Sequence, residues 1–286
     1  MTTMRSDLIA AEEPAALDLR DGEAVLELRG GPTAPPVRVS VIVPTLNEAE
    51  NVGHVLPAIP GWVDEVLLVD GGSTDGTVAA ARAARPDLRV VTELRPGKGA
   101  ALRRGWEEAT GDIIVTIDAD GSTDPGEIPA FVGLLLAGAD LAKGSRFLHG
   151  GGTDDMGALR RSGNWALTRV VRVLYGGRYS DLCYGYNAFW RHVTPCFDGE
   201  ADGFEIETFI NVRALRHGLQ VAEVPSFERS RIHGQSNLRT FADGWRVLKT
   251  IVREQDRARA RAVWLGGVTA TSVAFGTVGV TTGVLG

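Results

Sequence analysis

Asp118 and Asp120 flank a single small residue, Ala119, directly after the apolar run Ile113–Ile117. The run predicts a buried strand, and side chains two apart on a strand share a face. Two like charges at a strand end repel each other unless a cation or polar partner offsets them. The simplest partner is a divalent ion with hard oxygen ligands, itself held by phosphate oxygens. Such an ion stabilises a nucleoside diphosphate as a leaving group. Two plainer readings compete: an incidental polar turn, and a calcium loop through Asp118, Asp120, Ser122 and Asp124. An EF-hand needs Gly at its sixth place and Glu at its twelfth, and this run has neither.

Elements of a particular kind must carry these acids to a site. Val39–Val43, Glu65–Val69, Leu88–Thr92 and Ile113–Ile117 read as strands. Between them, Thr45-x-x-Glu48 is a capping-box signature for a helix running to Ile59. Thr74–Ala84 and Gly99–Ala109 predict two more helices. Apolar strands alternating with helices indicate an α/β fold with a mostly parallel central sheet flanked by helices. Ligands bind such sheets beyond the carboxyl ends of the strands, where Pro44, Asp70 and Asp118 fall. The second half is less regular. Helices are expected over Asp124–Ala137, Asn164–Tyr175, Glu205–His217 and Phe241–Arg253, and strands over Leu141–Phe147 and Leu219–Val224. The Gly- and Asp-rich stretch Leu148–Gly157 reads as a mobile loop.

The 286 residues are 44% hydrophobic and 23% charged, enough for a packed core, with a net charge of −6. No basic excess exists to neutralise nucleic-acid phosphates, so nucleic acid is not an expected partner. Cys183 and Cys196 form no C-x-x-C pair or disulfide framework. Residues 1–36 read as a partly disordered leader, with Ala24–Leu28 as a short strand in a hairpin after Asp21-Gly22. Gly30-Gly31-Pro32 and Pro35-Pro36 punctuate its end. The leader has no signal-peptide pattern, which makes the cytoplasm the default location. Residues 254–286 form a basic linker and tail, uncharged from 262 onward. At about 1.5 Å per helical residue that tail is long enough to cross a bilayer. Arg253, Arg257, Arg259 and Arg261 suit a cytoplasmic flank. Its Gly and Thr content leaves two readings open, a membrane contact at the inner face and a disordered or self-packed tail.

Three strand-end motifs stand in order: Val43-Pro44-Thr45-Leu46-Asn47-Glu48, Val69-Asp70-Gly71-Gly72-Ser73-Thr74-Asp75-Gly76-Thr77, and Asp118-Ala119-Asp120. Arg95-Pro96-Gly97-Lys98-Gly99 lies between the last two. This ordered set resembles family 2 glycosyltransferases of the GT-A fold, over roughly residues 37–253. Gly144-Ser145-Arg146-Phe147, Asp181–Arg191, Gly203-Phe204-Glu205-Ile206-Glu207 and Glu223-Val224-Pro225 resemble the polyprenyl-phosphate sugar synthases within that family. Those enzymes carry a further basic motif, matched here by Arg229–Asn237, with Asn237 where a lysine is usual. Gly121-Ser122 stands where they usually have Leu-Gln.

The resemblance implies a single GT-A domain at 37–253, a nucleotide-sugar donor, a Mg²⁺ or Mn²⁺ ion, and inversion at the sugar. It implies nucleotide contacts from Pro44, Thr45, Asn47, Glu48, Asp70, Gly71, Ser73, Lys98, Asp118 and Ala119. Asp120 binds the metal and Asp118 faces the metal or ribose. Ser145, Arg146, Arg229, Arg231 and Ser236 are the expected phosphate and acceptor residues. The expected acceptor is a polyprenyl phosphate, or else a soluble hydroxyl compound. For a hydroxyl, Asp202 and Glu205 are the candidate bases. Plainer readings accompany these assignments: Glu48, Ser73 and Asp75 as helix caps, Arg146 and Arg231 as surface ion pairs, and Glu207 on a solvated helix face. Tyr184, Tyr186, Phe189 and Trp190 read as core aromatics or a sugar platform. Gly97-Lys98-Gly99 before a helix is expected to offer a cation and free N–H groups to an anion. Two other classes fit less well. A nucleotidyltransferase needs a Gly-rich, Arg-bearing turn after the first strand, and a non-catalytic nucleotide-sugar binder needs no metal carboxylate.

Overall fold

The computed structural model describes residues 18–20, 23–25, 36–234 and 240–256. Strands β1 (Asp18–Arg20) and β2 (Glu23–Val25) pair antiparallel, as the hairpin reading expects. The rest of the leader, Ser236 and the uncharged tail lie outside the described residues.

The main sheet is built around β3 (Val39–Thr45), which pairs in parallel with β4 (Glu65–Asp70) and β6 (Ile113–Thr116). β5 (Arg89–Thr92) extends it in parallel beyond β4. On the other side β9 (Asn187–Trp190) inserts antiparallel between β6 and β7 (Leu141–Ser145), and β10 (Val221–Pro225) closes the edge parallel to β7. The resulting order is β10-β7-β9-β6-β3-β4-β5. β9 belongs to the Asp181–Arg191 motif, which has no helical period and too little length to announce a strand.

Both faces of the sheet are covered, which explains why its strands read as continuous apolar runs. Val39, Val41 and Val43 pack with Val52 and Leu56 of α1 (Ala49–Ala58), Ala81 of α2 (Thr77–Ala84) and Phe131 of α4 (Ile128–Leu136). Ile42, Leu67 and Val69 face Leu102 and Trp106 of α3 (Lys98–Glu108) and Phe209 of α6 (Ile206–Arg216). A smaller cluster joins α5 (Ala158–Tyr175) through Val171, α6 through Val212, and helix α7 (residues 240–256) through Val247 and Ile251. Burying each such side chain contributes about 1.5–3 kcal/mol.

Several local expectations are corrected. The capping box does not form, because Thr45 is still in β3 and its hydroxyl donates to Val43 O at 3.0 Å. Asp75 caps α1 instead, accepting from Ala49 N at 3.0 Å. α5 begins at Ala158, six residues earlier than expected. Within Leu148–Gly157, read as a mobile loop, β8 (Gly152–Thr153) pairs in parallel with β11 (Phe227–Glu228). The aromatics of the 184–190 motif are core: Tyr184, Tyr186 and Phe189 are buried, and Tyr186 stacks on Phe131 at 4.1 Å.

Candidate active site

The carboxyl ends of β3 and β4 are clasped by their own loops. Asp70 ends β4, and its carboxylate accepts from Gly72 N and Ser73 N at 3.2 Å. Asn47 takes a left-handed backbone, φ 55°, one of the few conformations asparagine tolerates better than most residues. Its N–H donates to Ser73 Oγ at 2.9 Å, and its Oδ1 accepts from Thr74 N at 2.9 Å. Asp75 Oδ1 accepts from Thr77 N at 3.0 Å, so it caps both α1 and α2. Burial works to raise the Asp75 pKa, but the hydrogen bonds from Thr77 and Ala49 outweigh it and hold the carboxyl below its ordinary value. Ser73, also read as a cap for the helix after it, serves Asn47 instead.

Below this edge opens a cavity of about 830 Å³, in the size range of small-molecule sites. Pro44, Thr45, Glu48, Gly71, Lys98, Asp118, Ala119, Asp120, Arg146 and Arg231 all line it. Asn47, Asp70, Ser73, Ser145, Asp202, Glu205 and Arg229 stand behind or beside that lining. Asp202 is exposed and ion-paired with Arg103. Glu205 accepts from Gly203 N at 3.1 Å, and its buried Oε2 has no partner. Arg229 pairs with Asp124 at 2.8 Å, and the Ser145 hydroxyl meets Ser180 Oγ at 2.6 Å.

The two acids of the central motif do not share one partner. β6 ends at Thr116, and after Ile117 N bonds Ile42 O the chain leaves the ladder, so strand alternation no longer governs Asp118 and Asp120. Each has its own cation. Lys98 Nζ lies 2.6 Å from Asp118 Oδ1 and 2.8 Å from Glu207 Oε1. Burial acts to lower the Lys98 pKa, but these two carboxylates raise it well above the ordinary lysine value. Burial raises the Glu207 pKa, with the Lys98 charge acting against it. Arg231 spans two acids, 2.8 Å from Glu48 Oε1 and 3.0 Å from Asp120 Oδ2. Its loop is pinned to the same turn, since Arg229 N donates to Ser122 O and Ile232 N to Asp120 O. Arg231 therefore lines the cavity and bridges two of its acids, rather than forming an isolated surface ion pair.

Lys98 is fixed by an unusually close packing of backbone. Gly97 has φ +114°, and a Cβ there would fall 2.1 Å from Asp202 O. A Cβ on Gly99 would fall 1.9 Å from Ala201 O. The N–H groups of Gly99 and Ala100 donate to Asp202 O at 2.7 and 3.3 Å. The expectation of free N–H groups at this helix start is thus corrected, because a carbonyl already caps them.

Arg146, also in the lining, is 5% exposed and ion-paired on both sides. It bonds Asp181 with Nε at 2.6 Å and NH2 at 2.9 Å, and Glu228 with NH1 at 3.0 Å. Its guanidinium carbon sits 4.8 Å from the centre of the Tyr184 ring. The surface-pair reading fails here. Bidentate pairing suits a guanidinium held in a dry place. Asn164 of α5 adds a second feature of this wall: Oδ1 accepts from Cys183 N at 3.1 Å, which leaves Nδ2 as a buried donor without a partner.

Sequence reasoning missed Asp181 and Glu228 as the holders of Arg146, and of the readings open for Glu207 the solvated face fails, since it is 5% exposed. The i, i+4 pair Glu207 and Asn211 carried the signal, since both prove buried on one side of α6.

No cluster of three or more His, Cys, Asp or Glu among the described residues holds a metal ion unaided. Asp118 and Asp120 do face one cavity with hard carboxylate oxygens. Mg²⁺ is commonly bound by one or two carboxylates plus substrate phosphates, so this donor set fits such an ion when a diphosphate completes it.

Comparison with known proteins identifies relatives of the chain. A family model described as Glycosyl transferase family 2 matches residues 40–195. The polyprenol monophosphomannose synthase of Mycolicibacterium smegmatis is 36% identical over 233 residues, covering 71% of this chain and 82% of that protein. The undecaprenyl-phosphate mannosyltransferase of Micrococcus luteus is 32% identical over 216 residues, covering 71% of this chain and 88% of that one. Among solved structures, glucosyl-3-phosphoglycerate synthase from Mycobacterium tuberculosis, in complex with Mn²⁺, UDP-glucose and phosphoglyceric acid, matches with a TM-score of 0.63 and 28% identity. That match covers 77% of this chain and 80% of the other.

Proposed function

The chain belongs to glycosyl transferase family 2, and we propose that it moves a sugar from a nucleoside diphosphate sugar to a polyprenyl phosphate with inversion. The observation that carries this reading is one cavity with strand-end acids and their cations at one wall and the buried Arg146 at the other. Relatives named for polyprenol and undecaprenyl-phosphate mannosyl transfer support it.

In this reading residues 37–253 are the catalytic unit. Pro44, Thr45, Glu48, Asp70 and Gly71 hold the nucleoside. Asp70 keeps acceptor capacity for a base N–H, because each carboxylate oxygen has two lone pairs and its loop uses only some of them. Asn47 and Ser73 act one step back by locking the loop that presents Asp70. Asp118 and Asp120 hold Mg²⁺ or Mn²⁺, which supplies charge stabilisation for the departing diphosphate when bound. Lys98 and Arg231 place two further cations beside the same leaving group, where fixed charges lower the barrier most.

The acceptor enters opposite, near Arg146 and Asn164. Ser145 and Arg229 brace this wall through Ser180 and Asp124. A phosphate oxygen is already anionic at neutral pH, so it attacks the anomeric carbon without a base while the bond to the diphosphate breaks. A hydroxyl acceptor needs a carboxylate to take its proton. Asp202 and Glu205 lie outside the cavity lining, so Glu207 is the better-placed candidate for that task.

The structural match to a synthase crystallised with phosphoglyceric acid favours this second reading. One experiment separates the two. Labelled UDP- and GDP-sugars are offered with polyprenyl phosphate and, separately, with small hydroxyl compounds, with and without Mn²⁺. Metal-dependent label in the organic extract supports the lipid acceptor. Label only in the aqueous phase overturns it.

A further inference from the structure

Lys143, in the middle of β7, is a lysine with no exposed surface. Lysine is almost never fully buried unless it is paired. Here both partners of the ammonium are main-chain carbonyls, Tyr184 O at 3.1 Å and Gly144 O at 3.4 Å. Burial pushes its pKa down, with the charges of Asp181 and Glu223 acting against that. A strand covered on both faces favours an apolar residue at such a position. The lysine therefore stands there against the local preference, and its hydrogen bonds show what it holds.

The turn from Leu182 to Gly185 is held by buried side chains of four different elements. Asn211 Nδ2 of α6 donates to Leu182 O at 2.9 Å, and Lys143 of β7 donates to Tyr184 O. Asn187 Nδ2 of β9 and Thr116 Oγ1 of β6 both donate to Gly185 O, at 3.1 and 3.3 Å. Lys143 and Asn187 stand opposite each other in the β7–β9 register, so their side chains leave the same face of the sheet. The Oδ1 atoms of Asn187 and Asn211 are buried without a partner. Leaving a buried acceptor unpaired is unfavourable, so the cluster is arranged around the turn rather than for its own satisfaction. The turn in its own right lines the cavity, through Cys183, Tyr184 and Gly185. A Cβ on Gly185 would fall 2.7 Å from Lys98 Nζ and 3.0 Å from Glu207 Oε1. The Arg146 guanidinium carbon lies 4.8 Å from the centre of the Tyr184 ring. One short piece of backbone thus abuts both the Lys98 cluster and Arg146.

We infer that Lys143 is a positioning residue for sugar transfer: by holding Tyr184 O it fixes the Gly185 backbone against Lys98 and Glu207, and the Tyr184 ring against Arg146. Lys143 is absent from the cavity lining, so it acts only through the turn. The inference rests on the reading that transfer takes place in this cavity, and it holds for either class of acceptor. A lysine that merely fills the core would be matched or bettered by an apolar side chain, since burying a charge is costly. A lysine that positions the turn is needed for its donor rather than its volume. Without that donor Tyr184 O is released, and a shift of the reacting groups by about 1 Å costs about 10²-fold in rate.

The test compares the full wild-type chain with Lys143→Met and Lys143→Gln. Methionine fills the space of the stem without a donor, and glutamine keeps a donor on a shorter stem without the charge. Transfer is measured with the donor and acceptor that the labelled-sugar assay selects. The kcat of Lys143→Met should fall about 10–10²-fold, and that of Lys143→Gln should lie between Met and wild type. The KM for the nucleotide sugar should stay unchanged, because the nucleoside is held at β3 and β4. Melting temperature should not follow the order of kcat, with Lys143→Met melting at least as high as Lys143→Gln. Hydrogen exchange, read without substrate, should quicken at residues 183–186 in both variants and stay unchanged at 71–74. A wild-type kcat in Lys143→Met overturns the inference, and so does a kcat that falls in step with melting temperature and donor affinity. Should Lys143→Met fail to fold, wild-type kcat and exchange in Lys143→Gln overturn it. Exchange needs no acceptor, so a failed hold on the turn and a failed choice of acceptor are read apart.

Discussion

The nucleotide edge and the acceptor wall are held together by different physics. At the edge, the loops after β3 and β4 are held by neutral or capping hydrogen bonds: Asn47 to Ser73, Asp70 to its own turn, and Asp75 to Ala49 and Thr77. At the wall, the central lock is a set of buried charges from distant parts of the chain, Arg146 with Asp181 and Glu228. Capping bonds are worth about 1 kcal/mol each. A buried ion broken from its partner costs several times that. The edge can therefore yield to a ligand one bond at a time, whereas the wall is either intact or lost.

The strongest way to break this contrast is Arg146→Met. It strands Asp181, which is fully buried, and should cost about 3–5 kcal/mol. Guanidinium unfolding should show a lower midpoint with an unchanged slope. A loss under about 1 kcal/mol would place the wall in the same class as the edge. Asp120→Ala should act on rate instead. We expect transfer to fall about 10²–10³-fold, the range for removing one group that stabilises transition-state charge. Thermal melting should hold nearly steady, because Asp120 lies beside the exposed loop of Arg231. Turnover equal to wild type would remove Asp120 from the chemistry.

A smaller effect sharpens the other half. Asp75→Ala removes the cap of α1 and a bond to α2, and about 1 kcal/mol should be lost by urea unfolding. A loss near that for Arg146→Met would erase the distinction. The smallest effect concerns acid. Burial pushes the Asp181 carboxyl up, but the Arg146 hydrogen bonds and charge outweigh this and hold it below its ordinary value. Its contribution is therefore complete above the unfolded carboxylate pKa, about 3.9, and is lost as pH falls through the lower folded value. Asp181→Asn should flatten the acid limb of the stability curve below pH 4. An acid limb identical in both proteins would show that Asp181 is not depressed.

The same contrast explains what the sequence revealed. The strand–helix alternation through residue 120 was legible because apolar runs and turn residues are local signals. That Asp118, Asp120 and Lys98 line the cavity was legible because each follows a strand or starts a helix. The antiparallel β9 and the early start of α5 were not legible, since neither has a local marker. The partners of Arg146 come from positions 181 and 228, and nothing within either neighbourhood announces the other. Two local rules also misled. Thr45-x-x-Glu48 looked like a capping box, but the strand claimed Thr45 and Arg231 claimed Glu48. The alternation argument for Asp118 and Asp120 stopped where the ladder stopped.

The two glycines around Lys98 set a limit on how this protein can vary. Any side chain at either position must displace the 201–202 backbone, so no single substitution there is absorbed by a rotamer change alone. In a saturation library, both glycine positions should tolerate glycine only, as strictly as Lys98, whose charge holds Asp118 and Glu207. Intolerance would then be a property of the space beside the lysine rather than of its charge, and a selection experiment would read steric exclusion where inspection suggests chemistry.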